Sequence, residues 1–201
     1  MKSNIRVGHL VALVSALSVG TVSQGDVIGG PVVDPANSHT YYLLSQDTWT
    51  NSEAQAVAMG GNLVTISDDA ENSFVYDTFN GGGTHNLWIG LYDPTQDALG
   101  GSHTSNFVWA SGDAVTYSNW APSEPNGPGL GGEYYGMMWG NNSDISQLPL
   151  VRESRKWNDI GNSTIGVTND PFGVVEIAPE PASLGLIGFG LVGLLARRRR
   201  N

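Results

Sequence analysis

Glu124, Asn126, Glu133, Asn158 and Asp159 bring oxygen-bearing side chains together in two short stretches and the span between them. The first stretch is Trp120-Ala121-Pro122-Ser123-Glu124-Pro125-Asn126, the second Lys156-Trp157-Asn158-Asp159. Hard oxygens at that density suit Ca²⁺, which takes roughly 6–8 of them at about 2.3–2.6 Å. Without a cation, three carboxylates in one place repel one another and loosen the loops that carry them. The competing reading is a solvated acidic loop that holds no metal. Other chemistry is less well supported. His9, His39, His85 and His103 have no metal-ligand spacing and read as solvated loop residues. No nucleophile signature is present, and no Gly-rich phosphate loop precedes a helix.

The elements that must position these residues fit one ordinary domain with short appendages, given 201 residues. Apolar residues make up 40% and charged residues 14%, enough for a core under a sparsely charged surface, and 27 glycines argue for many turns and few long helices. The net charge of −10 understates the acidity of the middle. Lys2, Arg6 and Arg197 to Arg200 lie at the ends, which leaves Arg152, Arg155 and Lys156 against every acidic residue but Glu180. A body of roughly −15 repels phosphate backbones and excludes nucleic acid as a partner. There are no cysteines.

Residues 1–25 read as a secretory signal: a basic start at Lys2 and Arg6, an apolar run over 7–19, then small residues, with cleavage between Gly20 and Gly25. The apolar run falls short of the roughly 20 residues that span a bilayer. Residues 26–39 form a Gly/Pro/Asn-rich lead-in segment. Tyr41-Tyr42-Leu43-Leu44 reads as a strand. A helix follows from Thr48-Trp49, with Thr50 and Glu53 at capping-box spacing, Thr48 as the alternative cap, and Ala54, Val57 and Ala58 as its apolar face. Gly60-Gly61 stops it, and Leu63-Val64-Thr65-Ile66 is a strand. Ser67 with Asp68 and Asp69 caps a second helix whose Ala70, Phe74, Val75 and Phe79 face inward. Leu87-Trp88-Ile89-Gly90-Leu91 is apolar throughout and reads as a central strand. Phe107-Val108-Trp109 and Val115-Thr116-Tyr117 read as two strands joined through Ser111-Gly112-Asp113. Strands are also expected over 134–139 and at Gly173-Val174-Val175-Glu176-Ile177. The six tryptophans read as core rather than sugar-stacking platforms, because each lies within a strand or helix motif.

Taken in order, the Trp-started helix, Gly-Gly-Asn-Leu, second helix, Trp-Ile-Gly-Leu, Phe-Val-Trp, Asn-Trp-Ala-Pro-Ser-Glu-Pro-Asn, Lys-Trp-Asn-Asp and a final Val-Glu resemble a C-type lectin-like domain, here over residues 40–178. The resemblance implies an α+β fold, with two helices, small antiparallel sheets and a long irregular loop region. It also implies a Ca²⁺ ion held by Glu124, Asn126, Glu133, Asn158 and Asp159, the Asp159 carbonyl included, and a cis Glu124–Pro125 bond. In such domains two vicinal sugar hydroxyls complete about eight ligands. Glu124 with Asn126 would hold one hydroxyl, and Glu133 with Asn158 the other. The Glu-Pro-Asn form goes with mannose-type sugars, and Gln-Pro-Asp with galactose. Gly127 and Tyr134 stand where some members carry acids for a second calcium, so no auxiliary site is expected. Members usually carry two disulfides. The positions matching one pair are Ala56 and Val175 and those matching the other are Tyr135 and Asn162, so both pairs are lost jointly and the fold is expected to stand without disulfides.

Past the domain, residues 179–201 combine Pro179-Glu180-Pro181, a Gly-rich apolar stretch and Arg197, Arg198, Arg199 and Arg200. This resembles the PEP-CTERM sorting signal of Gram-negative bacteria. It implies an exosortase-type sorting enzyme as partner, transient anchoring in the inner membrane, removal of the tail, and a place in the cell envelope or the exopolysaccharide matrix of a biofilm. The alternative is an ordinary C-terminal membrane anchor. The expected function is an exported, calcium-dependent lectin acting in adhesion. The alternative is a structural or protein-binding module of the same fold, whose calcium only stiffens loops. An enzyme acting on exopolysaccharide would need a carboxylate pair free of metal, and none is identifiable.

Overall fold

The computed structural model describes residues 26–96, 107–127, 132–140, 154–162 and 171–179. Within them lie strands β1 (Val27–Val33) and β2 (Thr40–Gln46), helix α1 (Trp49–Ala58), strand β3 (Asn62–Leu63), helix α2 (Asp69–Phe79), and strands β4 (Leu87–Tyr92), β5 (Val108–Trp109), β6 (Tyr135–Met138), β7 (Trp157–Ile160) and β8 (Phe172–Ile177). The strands form one sheet in the order β1-β2-β8-β4-β6-β7, with β3 added to β8 and β5 to β4. All pairings are antiparallel except β4 with β8, where Leu87 and Trp88 lie opposite Phe172 and Gly173. The lead-in segment is thus not a bare loop: its residues 27–33 are β1, laid against β2.

β4 holds the centre because nothing in Leu87-Trp88-Ile89-Gly90-Leu91 needs water; all five residues are buried. Gly90 is required there, since a Cβ would stand 2.4 Å from the Leu63 carbonyl oxygen. The indole N–H groups of Trp88 and Trp49 donate to the carbonyls of Asp47 and Ile89, each at 2.8 Å. Both rings are therefore buried without an orphaned donor. Four of the six tryptophans (Trp49, Trp88, Trp109 and Trp157) are buried and the other two half-buried, as expected for core residues.

Both helices begin at single side-chain caps. Thr48, not Thr50, caps α1 by accepting the Asn51 N–H, and Glu53 turns away to accept the Leu63 N–H at 2.8 Å. Asp68 caps α2 by accepting the Glu71 N–H, while Ser67 donates to the Glu71 carboxylate. The buried face of α1 is Trp49, Ser52, Gln55 and Ala56; Ala54, Val57 and Ala58 face solvent. Anchoring of Trp49 in the core sets the rotation of this helix, so the aliphatic positions turn outward and two polar residues turn in. In α2, Val75 and Phe79 are buried and Phe74 half-buried, whereas Ala70 is exposed and Glu71 and Asn72 are buried instead.

Val115-Thr116-Tyr117 forms no strand. After β5 the chain leaves the sheet edge, and Tyr117 packs its ring 5.6 Å from that of Trp157. The positions that the resemblance pairs as cysteines are filled in two ways. Ala56 and Val175 lie in one apolar cluster with Leu44. Tyr135 and Asn162 both dock on the start of α1: the Tyr135 ring is 4.9 Å from Trp49, and Asn162 accepts the Thr50 N–H at 3.0 Å.

Candidate calcium and ligand site

The two stretches meet because the Trp120 segment runs beside β7. Trp120 bridges to Trp157 in parallel, Ala121 donates its N–H to the Trp157 carbonyl at 2.8 Å, and Trp157 donates to the Asn119 carbonyl at 2.9 Å. The Trp120 and Trp157 rings cross edge to face at 5.9 Å. Strand β7 pairs with β6, setting Asp159 opposite Gly136 and Asn158 opposite Met137. Glu133 lies two residues ahead of β6, and Tyr134 donates to the Ile160 carbonyl at 3.1 Å. Neighbouring strands and one flanking loop therefore carry all five residues to the same end of the sheet.

Asp159 is the latch between the stretches. Its two carboxylate oxygens accept the backbone N–H groups of Asn126 and Gly127, each at 3.0 Å. Ser123 (φ 72°) and Gly127 (φ 83°) take left-handed conformations on either side of the cis Glu124–Pro125 bond that the resemblance implies. The Asn158 amide donates to the Asp159 carbonyl at 3.0 Å. Asn158 and Asp159 are buried, Glu124 and Glu133 half-buried, and Asn126 exposed.

The electrostatics are those of an anionic cluster short of positive charge. Glu124 Oε2 is buried and has no hydrogen-bond partner. Burial, then the neighbouring Asp159 carboxyl, then the charge of Glu133 push Glu124 up to about 7. Glu133 is likewise pushed up to about 7 by burial and the Asp159 charge, with nothing acting the other way. Asp159 is raised because burial outweighs the backbone hydrogen bonds, those of Gly127 and Asn126 first, and the contact with Glu124 that favour its charged form. An orphaned buried carboxylate oxygen, two further carboxylates and two amide side chains make a hard-oxygen donor set, and that set fits Ca²⁺.

Sequence reasoning had no means of finding the Asp159 latch, since the donors are backbone amides. It also passed over His39, which contacts Glu176 and lies beside Glu71. Those residues come from a loop, a strand and a helix far apart in sequence, so no spacing could flag them. His85 stacks on Phe172 at 4.0 Å; His9 and His103 lie outside the described residues, as do Glu180, Pro181 and Arg197 to Arg200.

Comparison with known proteins agrees with this architecture. The family profile described as Lectin C-type domain matches residues 45–163, and that of the PEP-CTERM protein-sorting motif matches residues 178–200. The low affinity immunoglobulin epsilon Fc receptor of Mus musculus is 29% identical over 119 residues, which cover 59% of this chain and 29% of the receptor. The chain thus spans less than a third of that receptor's length. Regenerating islet-derived protein 3-gamma of Rattus norvegicus is 32% identical over 127 residues, covering 57% of this chain and 70% of that protein. Among solved structures, the cow C-type carbohydrate-recognition domain of CD23, determined in the presence of a GlcNAc2Man3 oligosaccharide, superposes with a TM-score of 0.52 at 27% identity, over 71% of this chain and 90% of that one. With the profile covering more than half of the sequence and the β6–β7 site built as described, the chain belongs to the C-type lectin family and ends in a PEP-CTERM sorting motif.

Proposed function

We propose that this domain binds carbohydrate through a calcium ion held by Glu124, Asn126, Glu133, Asn158 and Asp159. The observation that carries the reading is the buried, unpartnered Oε2 of Glu124 beside Asp159 and Glu133. When bound, the ion supplies open coordination positions for two vicinal hydroxyls of a sugar. The side chains do the rest. Glu124 and Glu133 accept hydrogen bonds from those hydroxyls, and Asn126 and Asn158 donate to them. Such bonds to charged acceptors are roughly twice as strong as neutral ones. Asn126 is solvent-exposed and so reachable by a ligand. The Glu-Pro-Asn order favours mannose-type sugars with equatorial neighbouring hydroxyls. The mannose-containing oligosaccharide named with the cow CD23 domain is consistent with that class.

Asn126 is exposed and Glu124 and Glu133 are half-buried, and affinity for a single sugar should be weak. Repeated display on a matrix would raise it through multivalency. We place the protein at the cell envelope or in the extracellular matrix of a Gram-negative bacterium, as an adhesin rather than an enzyme. In this reading residues 1–25 are removed on export, residues 40–178 are the binding domain, and an exosortase-type enzyme processes residues 179–201. Among the described residues no helix is long and apolar enough to cross a membrane; the apolar stretch over 182–196 lies outside them.

The test is retention on immobilised mannose in millimolar Ca²⁺, elution by a chelator, and an Asn126→Asp control. Retention lost with chelator and in the variant supports the reading. Flow-through at every calcium level overturns the mannose-type assignment. A second reading, in which calcium only stiffens loops of a structural or protein-binding module, draws on the Asp159 latch that joins the two stretches. It predicts calcium-dependent stability without sugar retention.

A further inference from the structure

The chain contains two Asn-Gly pairs, Asn80-Gly81 and Asn126-Gly127. In such a pair the backbone nitrogen of the glycine can close a succinimide ring onto the asparagine side-chain carbon, because no Cβ obstructs its approach. The ring closes only where the fold leaves the amide free to swing onto that nitrogen. The two pairs differ in this respect.

Asn80 ends α2 and is half-buried. Its Nδ2 donates to the Tyr76 carbonyl at 2.6 Å, and its Oδ1 accepts the Gly83 N–H at 2.6 Å. Both ends of the amide are held, and its carbon cannot reach the Gly81 nitrogen without breaking the cap. Asn126 is the opposite case. It is exposed, and among the described residues its side chain has no hydrogen-bond partner. Its backbone is the held part, the N–H donating to Asp159 Oδ1 at 3.0 Å. The attacking nitrogen is oriented as well: the Gly127 N–H points at Asp159 Oδ2, 3.0 Å away and within reach of a general base. Gly127 has a φ of 83°, so a larger residue that would slow the reaction is strained there.

We propose that Asn126-Gly127 is a self-modification site. The Gly127 nitrogen bonds to Asn126 Cγ, the Cγ–Nδ2 bond breaks, and ammonia leaves. The proton lost by the nitrogen is the one that the departing amide gains, and Asp159 Oδ2 is placed to carry it across. Water then opens the succinimide at either carbonyl, leaving aspartate or isoaspartate; no other reactant is needed. The first product lacks the amide donor of Asn126. The second also adds a methylene to the main chain between the two N–H groups that Asp159 holds.

The chemistry stands on the pair and its surroundings; its consequence for sugar binding rests on the function proposed above. In that reading Ca²⁺ draws on the Asn126 side-chain oxygen and pins the amide, as the helix cap pins Asn80. Loss of calcium would start the reaction, and returning calcium would not reverse it. The domain would thus carry a one-way record of time spent without its cation.

The experiment is timed incubation of the full-length chain at mildly alkaline pH, in chelator and in millimolar Ca²⁺. Peptide mapping reads the amide-to-acid mass gain and the isoaspartate at each position. In chelator the folded chain should convert at residue 126 at least about tenfold faster than at residue 80. In urea both amides are released, and the two rates should approach each other. Calcium should slow conversion at residue 126 in the folded chain. Conversion that calcium leaves unchanged would uphold the modification site and count against Asn126 as a calcium ligand, so the two readings fail separately. An intact Asn126 in the folded, metal-free chain, or conversion at residue 80 as fast as at residue 126, would overturn the proposal.

Discussion

The side-chain oxygen of Asn72 accepts the indole N–H of Trp157 at 2.8 Å, and both residues are buried. The same amide donates to the Arg155 carbonyl at 3.2 Å. A single polar side chain on α2 thus fixes both the ring and the backbone that lead into Asn158 and Asp159. Asn72→Ala leaves a buried N–H without a partner and should cost about 1–3 kcal/mol of stability. Because β7 loses its anchor just before two proposed ligands, calcium affinity should fall as well. Denaturant unfolding with and without Ca²⁺ reads both effects.

Calcium should stabilise the wild-type chain against heat, by about 2.7 kcal/mol at a hundredfold excess over the dissociation constant. Glu124→Gln separates charge from shape. Its amide can donate where Glu124 Oε2 now has no partner, so the metal-free variant should melt higher than the metal-free wild type. The gain on adding calcium should largely vanish. Scanning calorimetry of both proteins in chelator and in Ca²⁺ checks the opposite signs.

Glu53 supplies a pH dependence away from the proposed calcium site. Burial pushes its carboxyl up to about 7, opposed by the hydrogen bond from the Leu63 N–H. A carboxyl whose folded pKa lies above its unfolded one favours the folded state most when protonated in both states. Its contribution is therefore complete below about pH 4.5 and is lost as pH rises through about 7. Glu53→Gln keeps an acceptor for Leu63 and cannot ionise, so it should raise the melting temperature at pH 8 and change it little at pH 4.5. Melting curves across that range test the sign.

Ala56 and Val175, the positions that the family resemblance pairs as cysteines, share one buried cluster. Joint replacement by cysteine should form a cross-link under oxidising conditions. The gain expected from closing so long a loop is about 2–4 kcal/mol. Thiol counting after denaturation, together with the melting temperature in the presence and absence of reductant, measures it.

The features legible in the sequence are those whose signal is local. β4 and β8 are short apolar runs, and their composition alone demands burial. Glu124, Asn126, Asn158 and Asp159 lie in compact motifs whose order carries the family resemblance. The face of α1 was not legible, because Trp49 sets the rotation of the helix through its bond to the Ile89 carbonyl, a long-range contact. Ala54 and Val57 have the right spacing for a core and still face water. Val115-Thr116-Tyr117 has strand composition, yet among the described residues it pairs with no strand. The His39 cluster was invisible for the same reason: its members share no motif and meet only once β2, β8 and α2 have assembled.

Strand β8 is the last of the sheet in chain order, yet it lies between β2 and β4. Without residues 172–177, β2 and β4 would have no strand between them. A chain that becomes available N-terminus first would therefore lack the strand that joins β2 to β4 until its final stage. The sorting motif begins at residue 178, immediately after that closing strand. The closing strand and the sorting motif are thus adjacent in sequence, and a molecule cut short before β8 would lack both.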